Sequence, residues 1–301
     1  MRIATTQIFQ RGIDSMLDQQ ARVFKTQLQL SSGQRFSSPA DDPSAAAQIL
    51  GLNESLAITG QYRTNAKAAQ ARLDTEETAL RGVIDALQRA RELAVQAQND
   101  TNNATDRAGM AQEVRQLMDQ VLSLANTRDS NGEYIFAGFQ SQTQPFTHDG
   151  TGGFSYAGDQ GQRLLQIGPA RQVAVTDSGL DVFMKVENAA GTGYQDVFST
   201  LHTMATDLEA NAPNTDRIVE IDNAIENILQ VEARIGARQN AIDREDEVNS
   251  SFEVQLEAAR GNLRDIDIAE AATELNRQLV VLQAAQQSFV RIQGLSLFNY
   301  L

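Results

Sequence analysis

The C-terminal part of the chain carries an apolar residue at every seventh position, and this periodicity limits the available folds more than any other feature. Ile268, Leu275, Leu282 and Phe289 form the row, and Leu279 occupies the alternate position of the heptad. No proline follows position 213. An apolar heptad repeat in a periodic stretch well beyond 25 residues is typical of a coiled coil, which supercoils left-handedly against a partner helix.

The N-terminal end has a matching apolar stripe. Its spacings of three and four predict an amphipathic helix that ends at Gly33, because glycine is favoured just past a helix end. The stripe consists of Phe9, Ile13, Met16, Leu17, Val23, Phe24 and Leu28, with Gln20 as a polar interruption. Neither terminal helix buries its stripe alone, so we expect the two to pair as an elongated antiparallel rod.

A second, longer helix is predicted from about Pro43 to Gln98. Asp42 suits the N-cap because its carboxylate accepts from the free amides of the first turn, and Pro43 has no amide to leave unpaired. This helix carries a heptad of alanine, leucine and valine in which Glu76 is the one polar residue. A third helix, with apolar residues between positions 110 and 124, is expected to fold back antiparallel against it.

Between the helical regions the apolar spacing shortens to that of β-strands. A turn at Asn131-Gly132 predicts a hairpin with a short strand at 134–136. In the glycine-rich stretch that follows, from about 140 to 211, strands are predicted at 154–156, 164–167 and 173–175 and a small helix near 198–208. The sequence therefore predicts a mainly α-helical fold with three domains. These are a terminal coiled-coil domain (1–41 with 262–301), a helical rod domain with the short hairpin (42–140 with 212–261), and an inserted β-rich domain (141–211).

The charge balance disfavours two classes of partner. The chain has 25 basic and 39 acidic residues and a net charge of -14. Nucleic acids and anionic membranes both attract basic patches, so we expect neither as a partner. No apolar run reaches the roughly 18 residues that a membrane span needs, and residues 1–7 lack the apolar core of a secretory signal, so we expect an N-terminus that is not cleaved.

The sequence offers no convincing catalytic or metal site. Cysteine is absent, which excludes thiol chemistry and Cys-containing zinc sites. Asp129 and Asn131 resemble the start of a calcium loop, but the glycine falls too early and the distal glutamate is missing. His148 and His202 have no catalytic partner at a suitable spacing. We therefore expect no enzyme activity, no cofactor and no metal, and interpret the apolar terminal helices as surfaces covered by other protein molecules.

Three separated motifs resemble those of the bacterial flagellin superfamily. The first is Leu28-Gln29-Leu30-Ser31-Ser32-Gly33-Gln34-Arg35 followed by Asp41-Asp42-Pro43, and the second is Asn131-Gly132-Glu133-Tyr134-Ile135-Phe136-Ala137-Gly138. The third, at positions 286–301, is similar to the ending of the members that join the flagellar hook to the filament. The resemblance covers roughly the first 140 and last 85 residues and implies a flagellin-like fold.

The resemblance also implies a function, a location and partners. It implies a structural subunit exported uncleaved through the flagellar type III apparatus to the extracellular flagellum. There it would form a ring with copies of itself, between another hook-associated junction protein and the first flagellin subunits. A cytoplasmic export chaperone would hold the C-terminal helix before secretion. The expected assembly residues are Ile13, Leu17, Phe24, Ile268, Leu275, Leu279, Leu282, Phe289, Leu295, Leu297 and Phe298, and the expected cap and turn residues are Gly33, Asp42 and Pro43.

Other functions remain open at this point. The main alternative is flagellin itself, the filament subunit. A secreted enzyme or an adhesive module with its activity in residues 141–211 would place the function in the β-rich insertion. The terminal helices also allow a second physical state, in which they order only when a partner supplies the missing surface.

Overall fold

The computed structural model describes residues 2–294, and their fold is mainly helical, as the sequence predicts. The α-helices of the described residues are α1 (Arg2–Ser32), α2 (Pro43–Ala97), α3 (Ala104–Ala125), α4 (Val197–Glu209), α5 (Asp216–Arg264) and α6 (Ile268–Gly294). A short π-helix, Leu180–Met184, precedes α4. The predicted limits of α1 and α2 lie within a residue or two of the observed ones, because a glycine ends the first helix and a proline begins the second.

Small antiparallel sheets occupy the middle of the chain, where the strands were expected. They are β1 (Phe146–His148) with β2 (Phe154–Tyr156), β3 (Leu164–Gly168) with β4 (Arg171–Ala174), and β5 (Val186–Glu187) with β6 (Tyr194–Gln195). The sequence had indicated β2, β3 and β4. The strands β1, β5 and β6 have only two or three residues, which is too short for an alternating pattern to stand out.

The strand predicted at residues 134–136 does not form. Tyr134 makes a single bridge to Arg128, and the rest of the triplet is turn. Its backbone groups bond in different directions: the Ile135 amide donates to Thr127 at 3.2 Å, and the Phe136 carbonyl accepts from the Gly179 amide at 3.0 Å. All three side chains are buried. The apolar run therefore reflects core packing and not a strand ladder.

The chain divides into two compact units. The first, called here the terminal unit, comprises residues 1–58 and 252–301, and the second, the central unit, comprises residues 59–251. Helices α2 and α5 each contribute to both units. The three-domain division proposed from the sequence stays a prediction.

The central unit is built on antiparallel helices. The helices α2 and α5 are joined by ion pairs from Arg63 to Asp246 (3.0 Å) and from Arg81 to Glu232 (3.1 Å), so that early residues of one helix meet late residues of the other. Helices α2 and α3 are also antiparallel, as predicted, since Arg89 pairs with Glu113 at 2.6 Å while the earlier Gly82 lies beside the later Leu124. The apolar seam of α2, α3 and α5 is fully buried and includes Leu73, Leu80, Val83, Leu87, Val114, Val121, Ile228 and Ile235.

A cluster of aromatic rings attaches the small sheets to α4. The rings of Phe136 and Phe183 pack edge to face with centroids 5.1 Å apart. Phe146 lies 5.4 Å from Phe183 and 5.2 Å from Phe198 on α4. Each of these four rings is fully buried. Aromatic pairs of this geometry add about 0.5–1.5 kcal/mol to the burial of their area, so this cluster forms the core of the β-containing segment.

An ionic cluster fixes the loop after α3. Arg72 on α2 pairs with Asp129 at 3.0 Å and with Glu133 at 2.6 Å, and Glu133 also accepts from Arg163 at 2.9 Å. Hydrogen bonds from Arg163 and then Arg72 lower the pKa of Glu133 to about 2. The carboxylate therefore stabilises the folded state while it is ionised.

We predict that Glu133→Gln lowers the free energy of unfolding at pH 7 by about 1–2 kcal/mol, less than the full pKa shift implies because the site is partly solvated. Because the folded pKa is depressed, the stabilisation is present above about pH 4.5 and is lost as the pH falls towards 2. Denaturant titrations between pH 2.5 and 7 measure this. The control is Glu113→Gln at the exposed Arg89 pair, and an equal effect of both substitutions would contradict the prediction.

Candidate assembly interface

Helices α1 and α6 of the terminal unit pair in antiparallel orientation. Phe9 near the start of α1 meets Phe289 near the end of α6, with ring centroids 6.0 Å apart and an edge-to-face angle of 86°. Gly12 lies beside the Phe289 ring, and a Cβ there would be 3.2 Å from the ring, closer than an ordinary van der Waals contact. The two terminal helices of the chain thus cover part of each other's apolar surface.

Polar contacts fix the alignment of the two helices near their middle. Thr26 donates to the side-chain oxygen of Gln278 at 3.1 Å, and Gln19 donates to the Gln278 carbonyl at 3.2 Å. The amide group of Gln278 donates in turn to Glu274 at 2.8 Å. This hydrogen bond, with those from Arg277, lowers the pKa of the Glu274 carboxyl. Because a sliding of one helix would break these bonds, they favour one alignment.

The break between α5 and α6 is tied to the end of α1. The apolar periodicity predicts a helical stretch well beyond 25 residues in the C-terminal part of the chain, but this part is divided, because α5 ends at Arg264 and α6 begins at Ile268. Gln34 bridges Asp265 as an antiparallel pair, and the Ile266 amide donates to the Gly33 carbonyl at 3.0 Å. These bonds satisfy backbone groups that an uninterrupted helix would have used internally.

The predicted cap and turn residues lie at the expected helix ends. Gly33 follows α1 with φ of 70°, a left-handed conformation that favours glycine. The Asp42 carboxylate accepts from the Ala45 amide at 3.0 Å, and Pro43 is the first residue of α2. Lys25 on α1 pairs with Asp41 at 2.8 Å, and this hydrogen bond lowers the pKa of the Asp41 carboxyl.

Both paired helices leave an apolar face uncovered. On α1 the exposed side chains include Leu17 and Phe24, which are 57% and 67% exposed. On α6 they include Ile268 and Val290, which are 64% and 65% exposed. Eleven residues span slightly more than three turns, so side chains at this spacing lie nearly in line along one side of the helix. The rows are Ile13 with Phe24, Leu17 with Leu28, and Ile268 with Leu279 and Val290.

A groove of about 480 Å³ lies beside these rows. Leu17, Val23 and Phe24 of α1 and Leu282 of α6 supply its apolar lining, with Gln20, Ala21 and Gln27 at its edge. Val23 is buried at its floor, whereas Phe24 stands at the surface. A groove with this lining is suited to an apolar side chain of another helix.

The structure separates the predicted assembly residues into two groups. The first group is half-buried and consists of Leu275, Leu282 and Phe289. Phe289 packs on Phe9 of α1, and Leu282 lines the groove together with residues of α1. The second group is exposed and consists of Ile13, Leu17, Phe24, Ile268 and Leu279. Leu295, Leu297 and Phe298 lie outside the described residues. The prediction omitted Leu28, Val280, Val281 and Val290, which are also exposed apolar residues. Leu28 and Val290 could have been predicted from the sequence, because they lie eleven residues after Leu17 and Leu279.

The remaining candidate residues are not assembled into a site. His148 is the last residue of β1, not part of a turn, and stacks on Phe154 at 4.6 Å. His202 on α4 lies 6.3 Å from His148. Among residues 2–294 no three His, Asp or Glu side chains are grouped as metal ligands. None of the described helices has the length and apolar content needed to cross a membrane.

Comparison with known proteins defines the class to which this fold and interface belong. Residues 3–141 match the bacterial flagellin N-terminal helical region, and residues 218–301 match the bacterial flagellin C-terminal helical region. These two regions make up more than two thirds of the chain, and the chain belongs to the bacterial flagellin family.

Within this family the chain is similar along its whole length to flagellar hook-associated protein 3. It is 30% identical to that protein of Escherichia coli and 29% identical to that of Salmonella typhimurium, and each alignment covers 99% of both chains. The flagellin of Bacillus subtilis is 28% identical over 87% of this chain and 86% of its own. The comparison with flagellins thus leaves more of each chain unaligned.

Solved structures share the fold. Flagellar hook associated protein-3 from Legionella pneumophila superposes with a TM-score of 0.68 at 22% identity, covering 72% of this chain and 99% of its own. FlgL from Xanthomonas campestris gives a TM-score of 0.63 at 24% identity, covering 70% of this chain and 99% of its own. These values show a common fold.

We predict that Phe289→Ala loosens the pairing of α1 with α6. The substitution removes the ring that packs on Phe9 and against Gly12, which weakens the pairing by about 1–2 kcal/mol because the ring is only half-buried. Amide hydrogen exchange in residues 7–30 should accelerate roughly 5- to 30-fold. The neighbouring Val290→Ala serves as the control, since Val290 is exposed. Equal exchange in both variants would show that the ring contact does not hold α1.

Proposed function

We propose that this protein is a structural subunit of the bacterial flagellum that connects the hook, through another hook-associated junction protein, to the flagellin filament. The observation that carries the proposal is the uncovered apolar face on both α1 and α6 after the two have paired. Full-length similarity to flagellar hook-associated protein 3 supports it further. We place the protein in the extracellular flagellum and infer that it acts without catalysis.

The uncovered face is large enough to drive association. Full burial of one Val, Leu, Ile or Phe side chain contributes about 1.5–3 kcal/mol relative to exposure. Phe24, Leu17, Ile268 and Val290 are each more than half exposed. A neighbouring helix that covers several such side chains would therefore stabilise the association of two molecules by several kcal/mol. We infer that copies of the same chain, arranged in a ring, supply this cover.

The distribution of charge favours contact through the terminal unit. The central unit has 28 acidic and 16 basic residues, a net charge of -12, whereas the terminal unit has 11 acidic and 9 basic residues. Copies that approach through their terminal units meet little repulsion, while central units of neighbouring copies repel each other. This supports an assembly in which the terminal units make the close contacts and the central units face solvent.

The finer partners follow from the same surface. We infer that the terminal unit contacts the other hook-associated junction protein on one side of the ring and flagellin on the other. Before export through the flagellar type III apparatus, the chain would carry its apolar rows uncovered in the cytoplasm. A cytoplasmic export chaperone that covers α6 would prevent premature association, because large exposed apolar faces promote aggregation.

We predict that Phe24→Glu prevents incorporation into the junction without unfolding the central unit. A carboxylate in the exposed apolar face of α1 cannot be buried against a neighbouring molecule without a large desolvation penalty. Ser15→Glu is the matched control, because Ser15 is exposed on the same helix about half a turn away from the row. Swimming motility and the amount of protein in isolated hook–filament complexes measure the effect.

Two results would contradict this assignment. The first is wild-type motility and junction content in the Phe24→Glu strain. The second is growth of long filaments when the purified wild-type chain is seeded alone, since that behaviour belongs to flagellin. A junction subunit is expected to stop at a short assembly.

We predict that Leu279→Asp weakens binding of the export chaperone to the full chain at least 10-fold. Leu279 lies in the middle of the exposed row of α6, and a charge there would face an apolar partner surface. Ala284→Asp introduces the same charge at an exposed position about 140° away around the helix and should bind as the wild type does. Calorimetric titration with the purified chaperone provides the measurement, and equal affinities would exclude the α6 row as its binding site.

A further inference from the structure

Glu76 interrupts the apolar seam of α2 and is buried in the central unit. Only 1% of its surface is exposed, and Leu73 and Leu80, one turn before and after it, are fully buried. Neither of its carboxyl oxygens makes a hydrogen bond of normal geometry among the described residues, and the backbone and side chain of Asp177 are the polar groups beside them. A buried carboxylate without partners would be strongly unfavourable, whereas a neutral carboxylic acid is far less so.

A second buried carboxyl group faces Glu76. Asp177, 5% exposed, belongs to the buried segment 175–179, which follows β4. Its two oxygens accept from Arg238 of α5 and from Gln162, the latter at 3.2 Å. Arg238 also donates to the Ala174 carbonyl at 3.2 Å. The positive charge of Arg238 also acts on Glu76, but its guanidinium is already paired with Asp177.

Other charged groups near Glu76 on its own helix have partners elsewhere. Arg72, one turn earlier, pairs with Asp129 and Glu133, and Glu77 pairs with Arg81. Burial, and next the negative charge of Asp177, raise the pKa of Glu76 well above its ordinary value of 4.5, while Arg238 acts in the opposite direction. The facing charges thus come from Asp177 and Arg238.

We propose that Glu76 is a protonated acid that holds the segment 175–179 against α2 and α5, and that its ionisation at alkaline pH releases this segment. Two adjacent carboxylates with one guanidinium would leave an uncompensated buried negative charge, which repels Asp177. The central unit therefore contains a pH-sensitive latch between its helices and its β-containing part.

The direction of the pH dependence follows from proton binding. Above about pH 4.5 the unfolded chain loses the Glu76 proton while the folded chain keeps it. Stability from this group is therefore fully present at lower pH and decreases as the pH rises, until the folded acid itself ionises. Other carboxyl groups with depressed pKa values, such as Glu133, act in the opposite direction below pH 4.5.

The test compares the full-length wild type with Glu76→Gln, which is neutral at every pH and has nearly the same shape. Thermal unfolding midpoints are measured from pH 5 to 9, with Glu92→Gln as the control on the exposed face of α2. We expect the midpoint of the wild type and the control to fall with rising pH more steeply than that of Glu76→Gln. The protection factors of the amides of residues 175–179, which are corrected for the base catalysis of exchange, should fall at pH 9 in the wild type and not in Glu76→Gln.

Parallel profiles for the wild type and Glu76→Gln would overturn the proposal. A second measurement does not depend on the folding of the variant. Infrared spectra of the wild type at pH 7 should contain the carbonyl band of a protonated carboxylic acid, which disappears at alkaline pH. Absence of this band at pH 7 would show that Glu76 is ionised in the folded chain and would equally overturn the proposal.

Discussion

Two paired helices can cover only part of each other's apolar surface, and this limit governs the terminal unit. Phe289 and Leu282 turn toward α1, and Thr26 and Gln278 fix the alignment, yet Phe24 and Ile268 stay mostly exposed. On α6, for example, the exposed Val290 follows Phe289 directly and lies about 100° away from it around the helix. The surplus surface explains why a protein of the flagellin family with these helices is suited to assembly.

The central unit differs from the terminal unit, because it buries its apolar core within one chain. Three antiparallel helices bury a continuous seam, and four phenylalanine rings attach the small sheets to α4. Its buried polar residues include both charged side chains, such as Glu76 and Asp177, and uncharged ones, such as Thr200 and Asn249. Hydrogen bonds from two guanidinium groups lower the pKa of Glu133. Burial first, and then the negative charge of Asp177, raise the pKa of Glu76, so the two acids shift in opposite directions.

The heptad row of α6 could be predicted from the sequence only in part. The spacing correctly predicted a helix with one apolar face, but it gave no reason to expect different exposure for Ile268, Leu275, Leu282 and Phe289. A straight helix rotates a heptad row by about 20° at each step. Ile268 at one end is therefore 64% exposed, while Phe289 at the other packs against α1. A step of eleven residues rotates by about 20° in the opposite sense, so Leu279 and Val290 turn away from the side of Phe289 and stay exposed.

The sequence alone determined the helical periods, the caps at Gly33 and Asp42 and the family, because these depend on local spacing and on side chains near in the chain. Tertiary contacts decided the rest. The end of α1 pairs with Asp265 and separates α5 from α6, the run at 134–136 became core packing instead of a strand, and Asp177 came to face Glu76. Each of these depends on groups far apart in the chain, whose proximity no local pattern specifies.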